Sequence, residues 1–157
     1  MTVEEYLELL LRVPGSFFKK GFVLCGQKSS KMVESFYRSH SSVLFVDCPQ
    51  SNSAKELLRY ILKGMGVDST VGKKTTLAEL ENAVLRHLSL FQVKVLVLKN
   101  FDKVLSGKPV ATKRVLVTLK SLLSRGRTAV VLTGTEDVRR VIETEEQLLR
   151  RFAFKSP

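Results

Sequence analysis

The sequence predicts one doubly wound α/β domain, on three observations. Short apolar runs recur along its 157 residues, at Phe22–Cys25, Val43–Cys48, Val93–Leu98 and Ala129–Thr133, each too short for a helix. Segments with helical apolar spacing separate them, the alternation that builds parallel βαβ units. The 93–98 run is nearly all valine and leucine, as a strand covered on both faces requires.

Each element has its own local reason. Thr2 and Glu5 form a capping box ahead of Tyr6, Leu9, Leu10 and Val13 at helical spacing, and Pro14-Gly15 stops that helix. After the strand at Phe22–Cys25, the small polar residues Gly26–Ser30 form a turn. Met32, Phe36 and Tyr37 then carry a helix to about Ser39. Pro49 ends the second strand. Leu57, Leu58, Ile61 and Leu62 mark one face of a helix over 53–66, followed by a polar linker over 67–75. A second capping box, Thr76 with Glu79, opens a helix that runs through Leu90. Beyond the third strand come a basic loop and a helix from Thr112 to about Ser124, closed by Gly126. Gly134 turns the fourth strand into a helix over Glu136–Ile142, and a short helix at Glu145–Arg151 leads into Phe152. The chain reads as one domain over 1–157, with an N-terminal helix and linker over 1–16 and a core over 17–154.

Composition excludes several function classes. Hydrophobic content of 44% and charged content of 26% are those of a folded globular chain. No apolar run approaches the roughly 18–20 residues of a membrane span. The acidic, amphipathic start matches no signal or transit peptide, so a place in the cytoplasm or nucleoid is expected, with no membrane partner. Cys25 and Cys48 each close an apolar run, which predicts buried reduced thiols rather than a disulfide scaffold. The two histidines and two cysteines show no metal-ligand spacing, so no metal ligands are assigned, and the acyl-transfer motif G-x-S-x-G is absent.

The net charge is +11, and it is uneven: residues 1–93 carry 12 basic and 9 acidic groups, residues 94–157 carry 14 and 6. A clustered excess of this kind suits a polyanion, so a nucleic acid bound electrostatically and without sequence preference is the expected partner. Lys113, Arg114, Arg125, Arg127, Arg139 and Arg140 are the candidate contacts. A solvated basic face that only keeps the protein soluble accounts for the same excess.

Strand, small polar loop and helix, in that order, make the phosphate cradle of nucleotide-binding proteins of the P-loop plan. The full loop is G-x-x-x-x-G-K-[ST], in which the lysine reaches the phosphates and the hydroxyl holds Mg²⁺. Here the candidates are Gly26, Lys28, Ser29, Ser30 and Lys31. With Lys31 as the phosphate lysine the loop is one residue short, Ser30 replaces the second glycine and Met32 replaces the metal-binding hydroxyl. An ordinary turn with a basic residue at the helix start also fits.

The acidic partner site is altered as well. In this plan an Asp at the end of a buried strand holds Mg²⁺ and a following Glu activates water. Lys99 and Asn100 stand at those places. A lysine repels a dication, and an asparagine takes no proton at neutral pH, so metal binding and general-base catalysis are lost together. No catalytic residue is assigned. Lys99 opposite Lys31 suggests an anion site that holds ATP or phosphate without Mg²⁺; a lysine reaching from a strand end into water is the alternative.

The chain resembles the AAA+ ATPases of bacterial transposons, the TniB-like and MuB-like target-selection proteins. The likeness lies in Val43–Pro49 with Glu56–Gly66, Val95–Leu105, Val130–Asp137 and Gln147–Phe152, and covers most of 17–154. The resemblance implies an AAA+ type three-layer sandwich with a mostly parallel sheet of about five strands, in the order 5-1-4-3-2, the fifth starting near Phe152. It implies Thr133 near the sensor position and Arg150 or Arg151 as an arginine finger, where a basic helix end satisfied by its own dipole is the alternative. It implies other AAA+ subunits or transposition proteins as partners, and a helical lid beyond Phe154 that this sequence does not contain. In that strand order three steps of about 4.8 Å separate Cys25 from Cys48, roughly 14 Å and beyond the reach of a disulfide. Three readings therefore stand: a nucleic-acid-binding AAA+ module without hydrolysis, an ATPase with atypical motifs, and a protein-interaction scaffold of the same fold.

Overall fold

The computed structural model describes residues 1–12, 19–67 and 74–155. The expected stop at Pro14-Gly15 and most of the linker over 67–75 lie outside them. Helix α1 (Val3–Arg12) opens on its capping box: Thr2 Oγ1 accepts from the Glu5 amide at 3.1 Å, and Glu5 returns a carboxylate oxygen to the Thr2 amide at 3.3 Å. Then follow β1 (Gly21–Cys25), α2 (Ser29–Phe36), β2 (Val43–Asp47), α3 (Ala54–Gly64), α4 (Leu77–Leu90) and β3 (Val95–Lys99). A 3-10 turn at Phe101–Val104 leads to α5 (Pro109–Arg125), β4 (Ala129–Gly134), α6 (Glu136–Glu143), α7 (Glu146–Leu149) and β5 (Phe152–Lys155). The second capping box is also formed, with Thr76 Oγ1 accepting from the Glu79 amide at 3.1 Å.

All five strands are parallel in one sheet of order β2-β3-β4-β1-β5, which read from the other edge is the expected 5-1-4-3-2. Alternate strand residues feed two cores, as the two-residue period of a strand demands. Phe22, Leu24, Val95, Val97 and Val131 pack with α1 and α2 on one face. Val23, Leu96, Leu98, Val130 and Leu132 pack with α3, α4, α5 and α6 on the other. The result is the three-layer sandwich.

Several boundaries moved. The third strand begins at Val95 rather than Val93, because the Val93 amide is taken by Leu88 O at the end of α4, 2.9 Å away. Helix α5 starts three residues earlier than Thr112, with Pro109 in the first turn where its missing N–H costs nothing. The loop before it contains the 3-10 turn, entered through Asn100 in the left-handed region at φ 56°. Helix α2 ends at Phe36, α3 at Gly64, and α7 is confined to four residues. Cys25 and Cys48 are buried free thiols with β4 and β3 between their strands. Burial pushes the Cys48 thiol up to about 12 and raises the Cys25 thiol as well.

Candidate functional site

Parallel strands deliver their C-terminal ends to one edge of the sheet, where open α/β folds bind ligands. That edge carries the Gly26–Lys28 turn with the first residues of α2, Asp47 at the end of β2, Lys99 at the end of β3 with Asn100 after it, and Thr133 in β4. The Gly26 amide donates to Gly134 O at 2.9 Å, pinning the loop across to β4. Gly134 has no room for a side chain: a Cβ there would stand 2.5 Å from Asp102 Oδ1 and 2.8 Å from Val138 Cγ2.

The polar groups of this edge are bonded to each other. Ser29, almost fully buried, donates its hydroxyl to Gly26 O at 2.8 Å. Ser30 Oγ and the buried Thr133 Oγ1 are 2.6 Å apart. Thr133 Oγ1 also accepts from the Asn100 amide at 3.3 Å, and Asn100 Nδ2 donates to Asp47 Oδ1 at 3.2 Å. Lys103 Nζ reaches the same Asp47 oxygen at 3.2 Å. Partial burial raises the Asp47 carboxyl, but hydrogen bonds from Asn100 and Lys103 and the charges of Lys103 and Lys99 outweigh it, so its pKa lies below the ordinary carboxylate value.

Lys99 Nζ is held by Glu34 Oε1 of α2 at 2.5 Å, so its charge is compensated from the helix beside the loop. Lys28 and Lys31 stand exposed at the start of α2 and make no ion pair among the described residues. Of the expected constellation, Gly26, Ser29, Ser30 and Thr133 converge, Lys99 is drawn to Glu34, and Lys28 and Lys31 stay in solvent. Among the described residues no group of three or more His, Cys, Asp or Glu side chains could hold a metal ion. Lys99 ends β3 and Met32 follows Lys31 in α2, so neither position offers an oxygen to this edge.

Sequence reasoning missed Glu34, Asp47 and Asp102. Asp47 had a signal, since it closes an apolar run and is registered against Lys99 across β2 and β3. Glu34 had none, because its partner lies 65 residues away.

The basic candidates fall into two kinds. Arg139 is bonded to Glu143 at 2.6 Å and lies over the Phe154 ring, Arg140 pairs with Asp137 at 3.1 Å, and Arg125 pairs with Glu81 at 2.9 Å. Lys113, Arg114 and Arg127 are exposed and make no ion pair among the described residues. Arg150 is bonded to Glu146 at 2.6 Å on the exposed side of α7, and Arg151 donates to Gln147 O at 2.8 Å.

A family model described as "TniB: Bacterial TniB protein" matches residues 22–156. The chain belongs to the TniB family. No curated protein matches it. Among solved structures, the TniB-family chain is similar to a chain of the Drosophila ORC bound to AT-rich DNA and Cdc6, with a TM-score of 0.62 and 15% identity. That match covers 97% of this chain and 51% of the other. A second match, in the Drosophila ORC bound to GC-rich DNA and Cdc6, has a TM-score of 0.55 at 14% identity, over 98% and 55% of the two chains. This chain spans about half the length of those it matches, and the likeness is one of fold: the AAA+ type α/β core. No described helix is long and apolar enough to cross a membrane.

Proposed function

We propose that this TniB-family chain is a transposition-related AAA+ module that binds nucleic acid electrostatically and does not hydrolyse ATP. The observation that carries the reading is the state of the C-terminal edge. The groups that stand where a nucleotide, a metal and a water would be handled are engaged with each other, Lys99 with Glu34 and Ser30 with Thr133. A nucleotide binding there displaces those contacts and meets no metal ligand, so only Lys28, Lys31 and the start of α2 are left to hold phosphate. ATP or phosphate is accordingly held weakly and without Mg²⁺.

Nucleic acid is assigned to the unpaired cations, Lys113, Arg114 and Arg127, ahead of the paired Arg125, Arg139 and Arg140. Arg150 and Arg151 are assigned to a neighbouring AAA+ subunit only if assembly frees Arg150 from Glu146. Turnover measurement and calorimetry test the first half: background hydrolysis is expected, with ATP affinity equal or lower in excess Mg²⁺ than in EDTA. Turnover that vanishes in Lys31→Ala overturns it. Salt titration of duplex binding tests the second half. Each neutralised phosphate adds about −0.9 to the slope of log K against log[salt], so four to six contacts give roughly −4 to −5. Salt-insensitive binding, or none at low salt, overturns it.

A further inference from the structure

The opposite edge of the sheet carries a cavity of about 670 Å³. It lies between the C-terminal ends of α1 and α4 and the residues that lead into β1, β3 and β4. Its size is that of a ligand or side-chain pocket. Among the described residues five cations line it, Arg12, Lys20, Lys94, Arg125 and Arg127, and no carboxylate does.

Two of the five are answered from outside the cavity, Arg12 by Glu8 and Arg125 by Glu81. Lys20 is turned aside, donating to Gly126 O at 2.9 Å. Lys94 and Arg127 are exposed and make no ion pair among the described residues. The walls between the cations are apolar, from Leu10, Leu85, Leu88 and Val93. Leu85 and Val93 are half-buried in these walls, so apolar surface remains open inside the cavity.

A basic rim alone suits a phosphate backbone. A basic rim around walls of leucine and valine does not, because nucleic acid has no aliphatic side chain to bury there. An aliphatic side chain flanked by carboxylates satisfies both halves, burying apolar area while Lys94 and Arg127 meet the acids. We infer that this cavity docks an acidic, leucine-bearing segment of a partner protein. The site is separate from the phosphate loop and from Lys113 and Arg114, and it shares only Arg127 with the cations proposed to contact nucleic acid.

The probe is a fluorescein-labelled helix-forming peptide of leucine and glutamate at amphipathic spacing, followed by anisotropy on the intact chain. Poly-glutamate, a duplex DNA and the matching leucine–lysine peptide are run beside it. Binding of the leucine–glutamate peptide is expected, weakened about tenfold or more by Lys94→Glu with Arg127→Glu. Leu85→Ser, at a half-buried position in the cavity wall, weakens it by a smaller factor. Lys63→Glu with Arg38→Glu, charge-matched and away from the cavity, leaves it unchanged, and circular dichroism confirms that each variant folds. Several results overturn the inference: no binding, equal binding of poly-glutamate, or binding indifferent to Lys94 and Arg127. Loss of duplex binding alone in the Lys94/Arg127 variant assigns the edge to nucleic acid instead. Self-association abolished by the same variant, read by sedimentation velocity, makes the occupant a second copy.

Discussion

At the C-terminal edge of the sheet the strand-end groups are bonded to their neighbours and only Lys28 and Lys31, at the start of α2, stay in solvent; at the N-terminal edge two of the five cations that line one cavity face only solvent. Lys99 sits on Glu34, Asp47 takes both Asn100 and Lys103, and Ser30 closes on Thr133. Across the sheet, Lys94 and Arg127 border a cavity with no acid among the described residues of its lining. The difference teaches where an electrostatic partner gains most. A cation already paired gives up its partner before it meets a new anion, and the net gain is small. An unpaired one gives up only water and counterions.

The largest expected effect breaks the closed edge. Thr133→Val keeps the shape of a fully buried side chain and removes the oxygen shared by Ser30 and Asn100. Loss of about 1–3 kcal/mol in denaturant unfolding is expected, because a buried donor loses its acceptor. No measurable loss means that the bonds at this edge carry no net stability and that the cleft is open to ligand.

Next in size is the contrast between paired and unpaired cations. Lys113→Glu with Arg114→Glu should lower the steepness of the salt dependence of duplex binding by about two phosphate contacts, close to 2 in slope. The same reversal at Arg139 and Arg140 should do less, since Glu143 and Asp137 already hold those side chains. Equal losses from both pairs remove the distinction. The smallest effect is that of pH on Asp47. Its folded pKa lies below the ordinary carboxylate value, so its contribution is present above that value and is lost as pH falls through the folded one. Asp47→Asn should be less stable than the parent near neutrality, and the gap should close in acid. A gap that stays constant with pH places the effect in packing instead.

The order of elements, the two capping boxes and the parallel sheet were legible in the residues, and the strand order followed from the family resemblance. The first three are local or periodic properties: Thr2 and Thr76 cap because Glu stands three residues on, and Val95–Leu98 is buried because nothing in it is polar. Helical spacing also accounts for the local ion pairs: Glu143 lies four residues after Arg139 and Asp137 three before Arg140, whereas no acid lies within four residues of Lys113 or Arg114. Packing between elements settled the rest, bringing Glu81 of α4 to Arg125. The Lys99–Glu34 pair and the basic cavity are less legible still. Both join residues far apart in sequence, and side-chain pairing across 65 positions follows from how α2 lies against the sheet, which no local pattern records.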